Sequence, residues 1–102
     1  MKKEQTIIVG KILKALRKNL LLSQEDLADF SHKDRNTISD LERDQYNPSL
    51  DTIFRLAAVL EMKPSQLVNK IEEVEENAEY INVLLREIEE IKIINKKNKR
   101  SQ

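Results

Sequence analysis

The chain has no cysteine and no tryptophan, a single glycine, a single histidine and two prolines. Each shortage removes a class of function. Without cysteine there is neither a disulfide framework nor a thiolate metal site. With Gly10 as the only glycine, a glycine-rich cradle for phosphates cannot be built. His32, alone, reads as a turn residue rather than a metal ligand or a catalytic base. No apolar run approaches the ~20 residues that a membrane span needs. Lys2 and Lys3 are not followed by the hydrophobic region and small-residue cleavage site of a signal peptide, so a cytoplasmic location is expected. Charged residues make up 35% of the chain, and carboxylates this common on short helices read as solvated faces. No enzyme, cofactor or small-molecule ligand is expected.

What is present is charge, segregated along the chain although its formal sum is zero. Residues 1–20 carry six Lys/Arg against one Glu, a net of +5. Residues 21–65 carry five against nine, a net of −4. Residues 66–102 carry seven against eight, with the basic ones gathered at Lys92, Lys96, Lys97, Lys99 and Arg100. A chain of 102 residues is one domain with room for an appendage.

Apolar spacing is helical nearly throughout. Ile8, Ile12, Leu13, Leu16 and Leu20 mark a first helix over about residues 6–20. Ser23, with Asp26 three residues on, starts a second that buries Leu27, Ala28 and Phe30. Asp34 caps a third, with Ile38 and Leu41 inward and Arg35, Asn36, Thr37, Ser39 and Asp40 outward. Asn47-Pro48-Ser49 is a break followed by a good cap. Leu50, Ile53, Phe54, Leu56, Ala57 and Leu60 mark a fourth helix, and Lys63-Pro64 opens a fifth. From Ser65 to Gln102 there is no glycine or proline. Ile71, Val74, Ala78, Ile81, Leu85 and Ile88 step by three and four, and Leu84 and Ile91 lie on an overlapping register. So broad a stripe cannot stay bare. Pairing with a second copy is expected, and a helix folded back on its own domain is the alternative.

Two helices joined by a short turn, the second opening on exposed polar side chains, form a helix-turn-helix arrangement. The second helix of such a unit enters the major groove. Arginine donates bidentately to guanine, asparagine pairs with adenine, and Ser or Thr serves either base. Gln24, at the start of the preceding helix, is placed for a phosphate.

Residues 7–68 resemble the Cro/CI-like (XRE) helix-turn-helix family, through "IIVGKILKALRKNLLLSQEDLADF", "RNTISDLER" and "NPSLDTIFRLAAVLEMKPSQL". Within it, "DRNTISDLER" is similar to the restriction–modification controller proteins. The resemblance implies an all-α, five-helix DNA-binding domain over residues 6–70. Residues 71–102 would add a long C-terminal helix for dimerisation and a basic tail. It implies a homodimeric regulator on a pseudo-palindromic operator in double-stranded DNA, most simply a repressor of its own promoter. A controller that also activates, or an antitoxin-like module whose last helix takes a partner, are the alternatives. Carried over by position, Gln24 and Asn47 hold phosphates. Arg35, Asn36, Thr37 and Ser39 face bases, and Arg43 lies near the backbone. Lys33 snorkels or faces DNA, Asp40 accepts from cytosine, and Tyr46 packs under its loop or touches a phosphate. Arg17 and Glu42 match a structural ion pair. Dimerisation falls to Ile71, Val74, Ala78, Ile81, Leu84, Leu85, Ile88 and Ile91. The sequence departs from the family pattern at His32 and Asp44, where glycine is usual.

Overall fold

A computed structural model describes residues 7–100, with the side chain of residue 100 excluded. The expected starts of the first helix and of the domain at residue 6, and the end of the tail at 101–102, lie outside it. Six helices follow one another: α1 Gly10–Asn19, α2 Gln24–Ser31, α3 Arg35–Glu42, α4 Leu50–Val59, α5 Pro64–Glu72 and α6 Glu75–Arg100. Among the described residues there is no strand, and no helix is long and apolar enough to cross a membrane.

Local chemistry sets most helix starts. The Ser23 hydroxyl accepts from the Asp26 N–H at 2.9 Å and the Asp26 carboxylate accepts from the Ser23 N–H at 3.0 Å, a reciprocal capping box. Asp34 caps α3 through the Thr37 N–H at 2.8 Å, and Ser49 caps α4 through that of Thr52 at 3.1 Å. At α5, Pro64 occupies the first turn, where its missing N–H costs nothing. There the Gln66 side chain accepts from the Lys63 N–H at 2.8 Å.

The helix ends share one device. In α1 to α4 a residue with positive φ closes the last turn: Leu21 (58°), His32 (58°), Asp44 (56°) and Glu61 (60°). In each case the next residue donates its N–H back five positions, as Lys33 does to the Ala28 carbonyl at 2.9 Å. This is the motif that glycine usually serves, because a side chain there costs about 1 kcal/mol or more. None of the four positions holds glycine.

The one glycine stands elsewhere. A Cβ on Gly10 would lie 2.1 Å from the Glu42 carbonyl oxygen, so the start of α1 abuts the end of α3 backbone to backbone. Behind this contact lies a single core. Leu13, Leu27, Ile38, Leu41, Leu56 and Leu67 are its fully buried members, with Val9, Ile53, Leu60 and Ile71 closing its edges.

The expectations for Phe30, Ile71 and Val74 need correction. Phe30 is 61% exposed, because α2 turns only Leu27, Ala28 and Ser31 inward and Phe30 lies off that stripe. Leu50 and Phe54 are likewise exposed, since Thr52, Ile53, Leu56 and Ala57 are the inward positions of α4. Ile71 and Val74, expected in the dimer seam, are buried in the chain's own domain at 7% exposure. The helical run is also broken at Glu73-Val74, where the Asn77 amide donates to the Ile71 carbonyl at 2.7 Å and caps α5 from outside. No glycine or proline marks that break.

Gly10→Ala is expected to lower stability by about 1–3 kcal/mol, an overpacking cost, read as a drop in thermal midpoint. Leu21→Gly and Glu61→Gly should each raise stability by up to about 1 kcal/mol, some 4–8 °C for a domain this size. A lower midpoint in both glycine variants would show that the side chains hold more than the backbone strain costs.

Candidate nucleic-acid interface

The second helix of the pair, α3, is held at its far end by one carboxylate. Glu42 Oε2 accepts from Arg17 Nε at 2.6 Å, and Oε1 accepts from Arg17 Nη2 at 3.0 Å and from Gln24 Nε2 at 3.1 Å. Arg17 Nη1 donates to the Leu22 carbonyl at 2.9 Å. The two side chains are 10% and 4% exposed, so this is a buried bidentate pair with its remaining hydrogen bonds met. The hydrogen bond to Glu42 raises the Arg17 pKa above its ordinary value, against the opposing effect of burial. The lock expected between α1 and α3 is present, and it also ties in the α1–α2 turn and the start of α2.

The same end of α3 carries a second tie that sequence reasoning missed. Asp44 Oδ1 accepts from the Val9 N–H at 2.7 Å and the Gly10 N–H at 2.9 Å. The residue at the N-cap position of α1, Val9, has no side chain able to cap, so Asp44 caps α1 from 35 positions away. Asn77 extends the chain of contacts. Its Oδ1 accepts from the Ile8 N–H at 2.8 Å and its Nδ2 donates to the Ile8 carbonyl at 2.7 Å. Residues 8–10 are thus gripped by α6 on one side and by the end of α3 on the other. The sole sequence hint was an α1 without its own cap.

At the near end the turn is built without glycine. Ser31 is buried, and its hydroxyl donates to the Leu27 carbonyl at 2.6 Å. His32 adopts the left-handed conformation, φ 58° and ψ 40°. Lys33 is half-buried and its charge helps to hold the Asp34 and Asp51 carboxyls below their ordinary value, behind their hydrogen bonds to Thr37 and Arg55.

Arg35 and Asn36 open α3 and are exposed, and neither side chain makes a hydrogen bond among the described residues. The other expected contacts are more committed. The Thr37 hydroxyl donates to Asp34 at 2.9 Å, so Thr37 serves the cap first. Ser39 is half-buried. Asp40 accepts from Arg43 Nη2 at 2.5 Å, so each neutralises the other on the outer face. Gln24 directs one amide N–H at Glu42. Tyr46 and Asn47 are exposed in the loop before α4, and Asn47 rims an apolar groove with Pro48, Ile7 and Val68. Ala78, Ile81, Leu84, Leu85, Ile88 and Ile91 are exposed on α6.

The geometry is two short helices with a left-handed turn and a third element clamping the second, and the sequence matches a helix-turn-helix family model over residues 13–67, more than half of the chain. The chain belongs to the helix-turn-helix family. Its type is the XRE, or Cro/CI-like, branch. It is 41% identical over 73 residues to an immunity repressor protein of Bacillus phage phi105, covering 71% of this chain and 51% of that protein. The chain therefore matches only about half the length of that relative. Among solved structures it is similar to the restriction–modification controller protein C.AhdI from Aeromonas hydrophila. That match has a TM-score of 0.57 and 41% identity, over 60% of this chain and 92% of that one. It is similar also to the N-terminal DNA-binding domain of SinR from Bacillus subtilis, with a TM-score of 0.56 and 27% identity over 60% and 90% of the two chains. The helix-turn-helix domain is one of DNA-binding regulators, not of an enzyme.

Glu42→Ala is expected to cost about 3–5 kcal/mol, because it strands a buried guanidinium. Replacing both partners, Arg17→Leu with Glu42→Leu, should recover most of that loss in chemical denaturation; equal losses would mean that the pair itself, not the stranded charge, carries the stability.

A pH dependence follows from the caps. Asp26 is lowered from its ordinary value of 3.8 mainly by the backbone N–H of Ser23, and Asp34 from the same value mainly by that of Thr37. A carboxyl lowered in the folded state stabilises the fold above the unfolded value and loses that contribution as pH falls through the folded one. The thermal midpoint should stay level from pH 7 to about 5 and decline below about 4. Asp34→Asn keeps the cap acceptor without the titration and should flatten part of the decline. An unaltered profile in that variant would remove Asp34 from the cause.

Proposed function

We propose that this regulator binds a pseudo-palindromic operator as a homodimer and represses transcription, its own promoter included. The observation that carries the reading is the start of α3, where Arg35 and Asn36 are exposed and uncommitted at the tip of a helix anchored at its other end. A helix presented by its amino end places such side chains at base edges in the major groove. Arg35 then reads guanine and Asn36 adenine. Gln24 keeps a second amide hydrogen for a phosphate while it holds Glu42, and Asn47 takes a phosphate from the loop before α4. Arg43 offsets Asp40, so the acidic residue on the outer face adds little net repulsion toward the backbone of the duplex. The exposed side of α6 supplies the dimer contact.

The similarity to a phage immunity repressor favours repression. The equal identity to a restriction–modification controller protein favours the second reading, a controller that activates one promoter and represses another.

Selection of bound sequences from random duplexes tests the proposal. Two inverted half-sites with centres about 34 Å, or one helical turn, apart are expected. Arg35→Ala should weaken binding to the selected site by about 1–3 kcal/mol, roughly 5- to 150-fold, and relax the preference at one base pair of each half-site. No binding at low salt, or an Arg35→Ala protein with unchanged affinity and preference, would defeat it.

A further inference from the structure

We propose that the apolar face of α6 is covered by α6 of a second copy running antiparallel to it. The inference rests on the homodimer reading above and adds the direction of the pairing. Beyond Ala78 the helix leaves its domain with Ile81, Leu84, Ile88, Ile91 and Ile94 exposed. At its root, Ile81 and Leu84 join Ile7, Val68 and Tyr80 around an open apolar groove of about 240 Å³. A face and a groove that share two residues are one surface, and a helix laid along the face enters the groove.

Charge decides which way that helix runs. Residues 72–79 hold five glutamates and no base, whereas residues 92–99 hold four lysines and no acid. Packed helices lie 8–10 Å apart axis to axis, about one Debye length at physiological salt. Parallel pairing sets glutamates beside glutamates and lysines beside lysines. Antiparallel pairing sets each acidic end against a basic one and opposes the two helix dipoles as well. A lone helix also favours acids at its start and bases at its end, but that preference leaves the apolar face and groove bare.

The register agrees. The middle of Glu75–Arg100 falls between Glu87 and Ile88. Turning a second α6 about that point sets Leu84 level with the partner's Ile91, both on the stripe that Ile81 and Ile88 share at 3.6 residues per turn. It brings the acidic stretch 72–79 of each chain to the basic end of the other. The partner's Ile91 therefore arrives at the groove lined by Ile81 and Leu84, in the same alignment that sets acidic end against basic end.

The absence of cysteine makes the direction measurable by introduced disulfides. Oxidised Ile88→Cys protein should cross-link to itself, because position 88 lies beside the two-fold axis. Leu84→Cys alone and Ile91→Cys alone should not, since each would lie about 10 Å along the axis from its own copy at 1.5 Å per residue, against the ~4.4–6.8 Å that a disulfide spans between Cα atoms. A mixture of the two should give the crossed dimer. Sedimentation of each unoxidised variant shows whether it still pairs, and Ile81→Cys mixed with Asn95→Cys serves if either of the first pair does not. Self-linked Leu84→Cys and Ile91→Cys, with no preference for the mixture, would overturn the antiparallel arrangement and leave the homodimer standing. A full-length protein that sediments as a monomer at micromolar concentration would remove both.

Discussion

The structure depends on one buried carboxylate. Glu42 sits at the end of α3 with its side chain almost wholly out of water, and Arg17 meets it with two donors while Gln24 adds a third. Through them the end of α3 is bound to the last turn of α1, to the α1–α2 turn and to the first residue of α2. An isolated helix of eight residues is unstable in water. It persists because this point fixes one end and Ile38 and Leu41 fill the core beneath it. The amino end is then free to present side chains instead of having to hold the fold.

That division of labour explains where polarity is tolerated. Near its far end the Glu42 carboxylate is satisfied internally, and Asp40 and Arg43 satisfy each other on the surface. Arg35 and Asn36, at the opening, keep their side-chain hydrogen-bonding groups unmet. Affinity for a polyanion without large net charge is reasonable on these terms, since phosphate contacts need local donors and base contacts need geometry more than charge. The acidic stretch between residues 21 and 65, with a net charge of −4, would by itself repel DNA. Much of it is structural: Asp26 and Asp34 are caps, Glu42 is a lock, and Asp44 is a cap for a distant helix.

Most of the fold was legible because its signals are local. Ser23, Asp34 and Ser49 act within three residues of themselves, and the 3–4 spacing of Leu27, Ala28, Ile38, Leu41, Ile53, Leu56 and Ala57 places them inward. Arg17 and Glu42 were legible through the family resemblance and not through spacing. What was hidden is long-range. Nothing near Asp44 announces that it caps α1, and nothing near Asn77 announces that it terminates α5 and grips Ile8. The break at Glu73-Val74 therefore could not be read, and Ile71 and Val74 passed for the beginning of a seam. Phe30 and Phe54 misled in the opposite sense, since periodicity counts apolar residues without saying which edge of a stripe remains in water. At the site, Arg35 and Asn36 are exposed at the start of α3, while Thr37 and Gln24 have partners of their own.

The Asn77 grip has a mechanical side. From Asn77 to Arg100 α6 extends as a rod about 36 Å long at 1.5 Å per residue. An angular play of about 10° at the pivot would swing the far tip by about 6 Å, close to the rise of two base pairs at about 3.4 Å each. Three amide hydrogen bonds and a short backbone segment shared with Asp44 set the stiffness of that pivot. In the dimer proposed above, the tolerance with which the two reading heads are spaced is therefore a bending constant, set where Asn77 grips residue 8.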